Sequence, residues 1–210
     1  MISVAGLAAA ASCLDTSTSP SNTAAIHAVN ATGQTLSIFV DGRFAIDAVA
    51  PGNVSLVVVT PGTHAVTYRT SDDVESTLTI TASGTSTTTV YAYPAGGAAI
   101  GVVALDTAAT VATGKTKVRV VNLSQLAGDI DVYRTQPDAP TPTKIVDPFI
   151  YRSASPYIES TVGQWEVYIT ADGLDTKLAT TDPFNLASGE RVSVFLLDIG
   201  GNPVLRVIPD

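Results

Sequence analysis

The stretch AIHAVNAT, beginning at Ala25, recurs as KVRVVNLS beginning at Lys117, with Asn30 standing against Asn122. PGTHAVTYRT from Pro61 matches VGQWEVYITA from Val162, which sets Gly62 against Gly163. LTITASGTSTTTVYAY from Leu78 matches FNLASGERVSVFLL from Phe184, setting Gly84 against Gly189, and VVALD ending at Asp106 matches RVIPD ending at Asp210. Four matches in the same order mean that one unit occurs twice, the second copy carrying extra loop residues such as QPDAPTPTK. Each copy must then bury its own apolar face. The chain reads as two tandem domains, residues 24–106 and 115–210, joined by a linker at 107–114.

Within each copy the period is two. TLSIFVDG alternates Leu36, Ile38 and Val40 with Thr35, Ser37 and Phe39, and THAVTYRT alternates His64, Val66 and Tyr68 with Thr63, Ala65 and Thr67. DIDVYR sets Ile130 and Val132 against Asp129, Asp131 and Tyr133. Such alternation describes strands with one buried face, and Asp41-Gly42, Pro51-Gly52, Pro61-Gly62, Asp172-Gly173 and Gly200-Gly201 punctuate it with turns. Many short strands with this punctuation suit a sandwich or a barrel. Only 14 % of residues are charged and 45 % are hydrophobic, with β-branched Val and Thr prominent. The expected class is all-β, two tandem antiparallel β-sandwich domains. A single cysteine leaves no internal disulfide. The net charge of −8 and pI near 4.5 argue against nucleic acid and against an anionic membrane surface, which both require clustered Lys and Arg.

The second copy also carries VRVVNLSQLAGDIDVY, SASPYIESTVGQWEVYI and LASGERVSVFLLD. An opening V-R-V-x-N, a D-x-D-V-Y strand, an S-P-Y before a Gly-started strand and an A-S-G before V-S-V-F resemble the bacterial family called domain of unknown function 4397. The first copy lacks the Asp pair and the S-P-Y. The resemblance covers nearly the whole chain after residue 23. It implies secreted or surface-attached Ig-like or transthyretin-like sandwiches, and it brings no activity, cofactor or functional residues with it.

The N-terminus differs from the rest. Residues 1–12, MISVAGLAAAAS, are small and apolar and too short to cross a bilayer. They resemble the apolar region and cleavage zone of a secretory signal whose basic start is missing. Ala10-Ala11-Ser12-Cys13 resembles the bacterial lipobox, with Ala10 where Leu is usual. Lipidation is therefore expected at Cys13, followed by the polar tether 13–23, LDTSTSPSNT after the cysteine, which has a flexible reach of roughly 17 Å. Leu14 rather than Asp after the cysteine favours, by resemblance to the Gram-negative sorting rule, the outer membrane.

Chemistry-bearing residues are sparse. His64 shares a strand face with Val66 and Tyr68 and reads as a core-edge residue, whereas His27, aligned with Arg119, reads as pointing outward. No G-x-S-x-G or S-x-x-K motif is present, and no catalytic residue or cofactor is assigned. Asp129 and Asp131 could contribute to a Ca²⁺ site, since hard cations take carboxylate and carbonyl oxygens. SDDVE offers Asp72, Asp73 and Glu75. Neither stretch has the spacing of a calcium loop, so a solvated strand face and an acidic turn are the plainer readings.

The copies differ where NVSLVVVTPG replaces SPYIESTVG, putting Leu56 and Val58 where Tyr157 and Glu159 stand. A strand apolar on both faces needs both covered, so Leu56 and Val58 are expected to pack against the second domain or a partner. The function expected is that of a non-catalytic, lipid-anchored envelope module that binds, adheres or scaffolds, with a membrane lipid and an envelope protein or glycan as partners. The rival is an enzyme or accessory subunit acting on envelope polysaccharide, which would need paired carboxylates across a groove.

Overall fold

In a computed structural model, residues 23–210 are described, apart from 85, 106–109, 138 and 140. Cys13, the signal segment and nearly all of the tether lie outside the described residues. The first domain runs β1 (Ala24–Asn30), β2 (Leu36–Val40), β3 (Arg43–Val49), β4 (Val54–Val59), β5 (Gly62–Thr70), β6 (Glu75–Ala82), β7 (Thr87–Gly96) and β8 (Ala99–Leu105). The second runs β9 (Lys115–Asn122), β10 (Ile130–Thr135), β11 (Thr143–Phe149), β12 (Ser153–Ala154), β13 (Ile158–Thr161), β14 (Gly163–Ala171), β15 (Lys177–Thr180), β16 (Phe184–Leu186), β17 (Arg191–Ile199) and β18 (Asn202–Pro209). The molecule is all-β, two sandwiches.

Each sandwich has an outer and an inner sheet. The outer sheets are ordered β3-β2-β5-β6 and β11-β10-β14-β15, with β16 also on β14; the inner sheets are ordered β4-β1-β7-β8 and β12-β9-β17-β18, with β13 also on β9. The sheets are antiparallel apart from one strand pair in each domain. β1 pairs parallel with β7, and β9 parallel with β17. Between these partners the chain crosses to the outer sheet twice, returning first antiparallel to the opening strand, as β4 in one domain and β12 and β13 in the other, and then parallel to it.

Alternation fills two cores. Ile26, Ala28, Leu36, Ile38, Val66, Tyr68 and Val90 close the first, and Val118, Val120, Ile130, Val132, Val167, Ile169 and Val194 close the second. A third apolar cluster lies between the domains. Val29, Ala31, Tyr91 and Leu105 of the first domain meet Val121, Leu123, Phe195, Leu197 and Ile208 of the second. Tyr91 and Phe195 pack edge to face with centroids 5.8 Å apart, a favoured geometry for aromatic quadrupoles. The four sheets therefore stack outer–inner–inner–outer. Gly52 shows how close the approach is: it has φ +75°, and a Cβ there would collide with Ile199 of the second domain.

The repeat marker Asn30/Asn122 has the same task in both copies. Asn30 Nδ2 donates to Gln34 O and Val49 O, both at 2.7 Å, and Asn122 Nδ2 donates to Gly128 O at 3.1 Å and Phe149 O at 3.0 Å. Val49 ends β3 and Phe149 ends β11, so each fully buried amide ties its inner sheet to its outer one. The Oδ1 atoms accept from the backbone two residues on, Thr32 N at 2.9 Å and Ser124 N at 3.2 Å. That contact is an Asx turn.

Asn122→Ala strands two carbonyls in a buried site, so it should lower unfolding stability by about 3 kcal/mol in urea denaturation. A loss below about 0.5 kcal/mol would contradict the structural role given to this amide.

Candidate functional site

The most unusual surface is the lateral edge of the first domain. β4 pairs with β1 alone and so ends its sheet. Val57 and Val59 pack onto the first core, while Val54, Leu56 and Val58 point the other way and are 40, 57 and 62 % exposed. The register Ala25↔Val58, His27↔Leu56 and Val29↔Val54 places these three on the face that carries the interdomain cluster. Of the two covers expected for Leu56 and Val58, the second domain or a partner, the second domain leaves both side chains more than half exposed. The turn before β4 reaches that domain at Gly52. Beside it, a groove of about 480 Å³ is lined by Val40, Phe44, Val57 and Val58 together with Asp41 and His64. Phe44 is 60 % exposed.

In the second domain the equivalent edge is blunted. Pro156 interrupts it between β12 and β13, and Ser155 takes over the ladder contacts: Ser155 N donates to Val120 O at 2.8 Å, and Ser155 Oγ accepts from Val120 N at 2.9 Å. Glu159 on β13 pairs with Lys115 at 3.6 Å. Tyr157 turns to the domain interface, donating to Asp210 Oδ2 at 2.7 Å beneath the Arg119 guanidinium, which lies 4.5 Å from its ring centre. The S-P-Y motif is therefore an edge-closing device. Burial, then the Asp210 carboxylate, pushes the Tyr157 hydroxyl above its ordinary range.

Arg119 corrects a second expectation. It is buried rather than outward, with Nε on Ser193 Oγ at 2.7 Å and a terminal nitrogen on Asp210 Oδ1 at 3.2 Å. Thr89 of the first domain reaches the same Asp210 oxygen at 3.3 Å. This charge is buried with its partner, as a desolvated ion requires. Its repeat counterpart His27 is half-buried on the inner face, and its Nδ1 has no hydrogen-bond partner.

Asp129 and Asp131 do not act together. Asp129 precedes β10 and is exposed, whereas Asp131 is buried opposite Thr170. Asp131 groups instead with Asp147 and Asp172, their carboxylate oxygens all within 4.8 Å of one another. Lys144 stands among them, 3.0 Å from Asp131 Oδ2 and 3.2 Å from Asp147 Oδ2. Burial alone would raise the Asp131 carboxyl, but Lys144 and the Gly173 amide outweigh it and hold it below the carboxylate range. Of SDDVE, Glu75 pairs with Arg69, and Asp72 and Asp73 are exposed in the turn.

These positions can be set beside known proteins. The family described as Domain of unknown function (DUF4397) matches residues 15–133. The chain belongs to this family. The DUF4397 match spans the whole first sandwich and continues through β9 into β10 of the second. No curated protein matches the chain. Among solved structures it is similar to a leucine-rich repeat protein from Bacteroides thetaiotaomicron, with 10 % identity and a TM-score of 0.23 over 82 % of this chain and 26 % of the other. The chain spans about a quarter of that protein's length. Within this DUF4397 chain the resembling motifs are structural: the Asn knots, the S-P-Y edge closure and Asp131 held by Lys144.

His64 is a core-edge residue, as its strand face predicted, and it is also an ion-pair partner. Its Nδ1 lies 2.7 Å from Asp41 Oδ2 and its Nε2 2.8 Å from Thr60 O. Asp41 raises its pKa above the ordinary 6.5, with help from Thr60 O, while His64 and the Ala65 amide lower that of Asp41. A raised folded-state value means that the pair's contribution is full below about pH 6.5 and is lost as pH rises through the folded pKa. An NMR titration should give His64 a midpoint above 6.5, and Asp41→Asn should lower that midpoint. A midpoint that Asp41→Asn leaves unmoved would contradict the pairing.

Proposed function

We propose that this chain is a non-catalytic binding module of the bacterial cell envelope, held at the outer membrane by a lipid on Cys13 and presenting the lateral edge of its first domain to a protein partner. The observation that carries this reading is the β4 edge. Its outward row is aliphatic and exposed, and its second backbone edge is unpaired within the sheet. Protein strands recognise such an edge by backbone hydrogen bonds and alternate side-chain pockets. A glycan would call for polar groups around an aromatic platform, so a protein suits this surface better.

Two further features support the reading. Among the described residues, the carboxylate trio Asp131, Asp147 and Asp172 is bridged by Lys144. The interdomain polar cluster around Asp210 is drawn into packing the two sandwiches together. Anchorage rests on the lipobox resemblance at Ala10–Cys13 and on the Ser/Thr-rich stretch after it. A single acyl chain binds a membrane only marginally, and several chains on one cysteine hold it firmly.

Membrane fractionation tests the anchor. Cys13→Ala should move the protein from the membrane pellet to the soluble fraction without changing its fold by circular dichroism. Retention of Cys13→Ala in the pellet would overturn the anchorage.

A further inference from the structure

We propose that the protein partner of the β4 edge is a second copy of this chain, the two β4 strands pairing antiparallel to make one continuous eight-stranded inner sheet. The inference rests on the reading of this edge as the docking surface and names its occupant.

The internal duplication provides the control. Both domains are built from one unit, so the second shows how this fold ordinarily protects the edge: a strand of four residues, a proline break at Pro156 and the Glu159–Lys115 pair. These are recognised defences against edge-to-edge pairing. β4 has none of them. It is six residues long and unbroken, and VSLVVV puts aliphatic side chains on both faces. The opposite edge of the same sheet, β8, is also apolar on both faces, but its described side chains are half-buried or buried and border a groove of about 570 Å³. Ile100, Val102 and Ala104 face the first core, and Val103 and Leu105 face the second domain. At β4 the outward row stays bare.

Charge does not bar a copy of the same chain at this edge. The protein carries −8 overall, which opposes self-association over most of its surface. From Ala48 through Thr63 there is no charged residue, so two β4 strands can pair without bringing like charges of their own together, and Asp41 in the neighbouring groove is matched by His64. A two-fold axis perpendicular to the sheet makes the contact self-complementary. It also puts the Val54, Leu56 and Val58 rows of both copies on one side, continuing the apolar layer that already fuses the two domains through Val29 and Tyr91. The groove beside Val58 and Phe44 runs along the same border and adds aliphatic and aromatic surface to the contact.

Sedimentation equilibrium on the full chain carrying Cys13→Ala, which takes no lipid, reads the association directly. The expected result is a mass that doubles as concentration rises through the micromolar range. Leu56→Lys should weaken association at least tenfold, because like charges opposed across a strand pair are unfavourable, with the thermal melt unchanged since the side chain is exposed. Mixing Leu56→Lys with Leu56→Glu chains should restore it. A monomer mass at every concentration up to about 200 µM, or a dimer that neither Leu56→Lys nor Val58→Lys disturbs, would overturn the proposal. Neither result bears on release of Cys13→Ala from the membrane, so anchorage and self-pairing fail separately.

Discussion

Each sandwich depends on one buried side-chain amide. Asn30 and Asn122 sit at the ends of the first strands of their inner sheets and hand their protons to carbonyls of the outer sheets. The hydrophobic effect is non-directional, so apolar packing alone would let two sheets slide. A hydrogen bond from a fully buried amide fixes their offset, because the buried carbonyl has no water to fall back on. The backbone carbonyls of the same residues accept from the turn that follows the third strand, Gly52 N to Asn30 O and Arg152 N to Asn122 O, both at 2.8 Å. Gly52 and Arg152 are both in the left-handed region. The knot thus positions the turn that launches β4 in one domain and β12 in the other.

From that point the two copies diverge in what they present. In the first, the turn carries glycine and lets the second domain close against it; in the second, Tyr151 and Arg152 reach across to the carbonyl of Pro94 at 3.1 and 2.9 Å. The inner sheets then meet face to face. One edge of the overlap is finished with Tyr157, Pro156 and Glu159, while the other ends in the bare row of β4. Duplication followed by fusion accounts for this asymmetry. A face shared by two domains needs apolar residues, and a strand at its border inherits the same pattern whether or not anything covers it.

Much of the fold is legible in the sequence because period-two alternation and turn glycines report local requirements. Gly62 and Gly163 align, and both have φ in the left-handed half, at 148° and 131°. The strands and the duplication follow from such signals. What alternation cannot report is whether the second face of a sheet meets water or another sheet. Arg119 looks like an outward residue between Val118 and Val120, yet its face is covered, and its charge is met by Asp210, far along the chain. Asp129 and Asp131 part for a related reason. Asp131 finds Lys144 across a hairpin whose loop length no spacing rule anticipates, while Asp129 lies before the strand begins. The difference between Leu56/Val58 and Tyr157/Glu159 was readable as a departure between copies. Its consequence, an exposed edge rather than a domain contact, required the geometry.

Two sandwiches are fused through their inner sheets into a single four-layer body, and this fusion decides which edges are left bare. Differential scanning calorimetry of the full chain tests it most directly. Coupled domains should unfold in one transition whose calorimetric and van't Hoff enthalpies agree, and Phe195→Ala, which empties the centre of the shared layer, should split that transition in two. Two well-separated transitions in the unaltered chain, unmoved by Phe195→Ala, would contradict it.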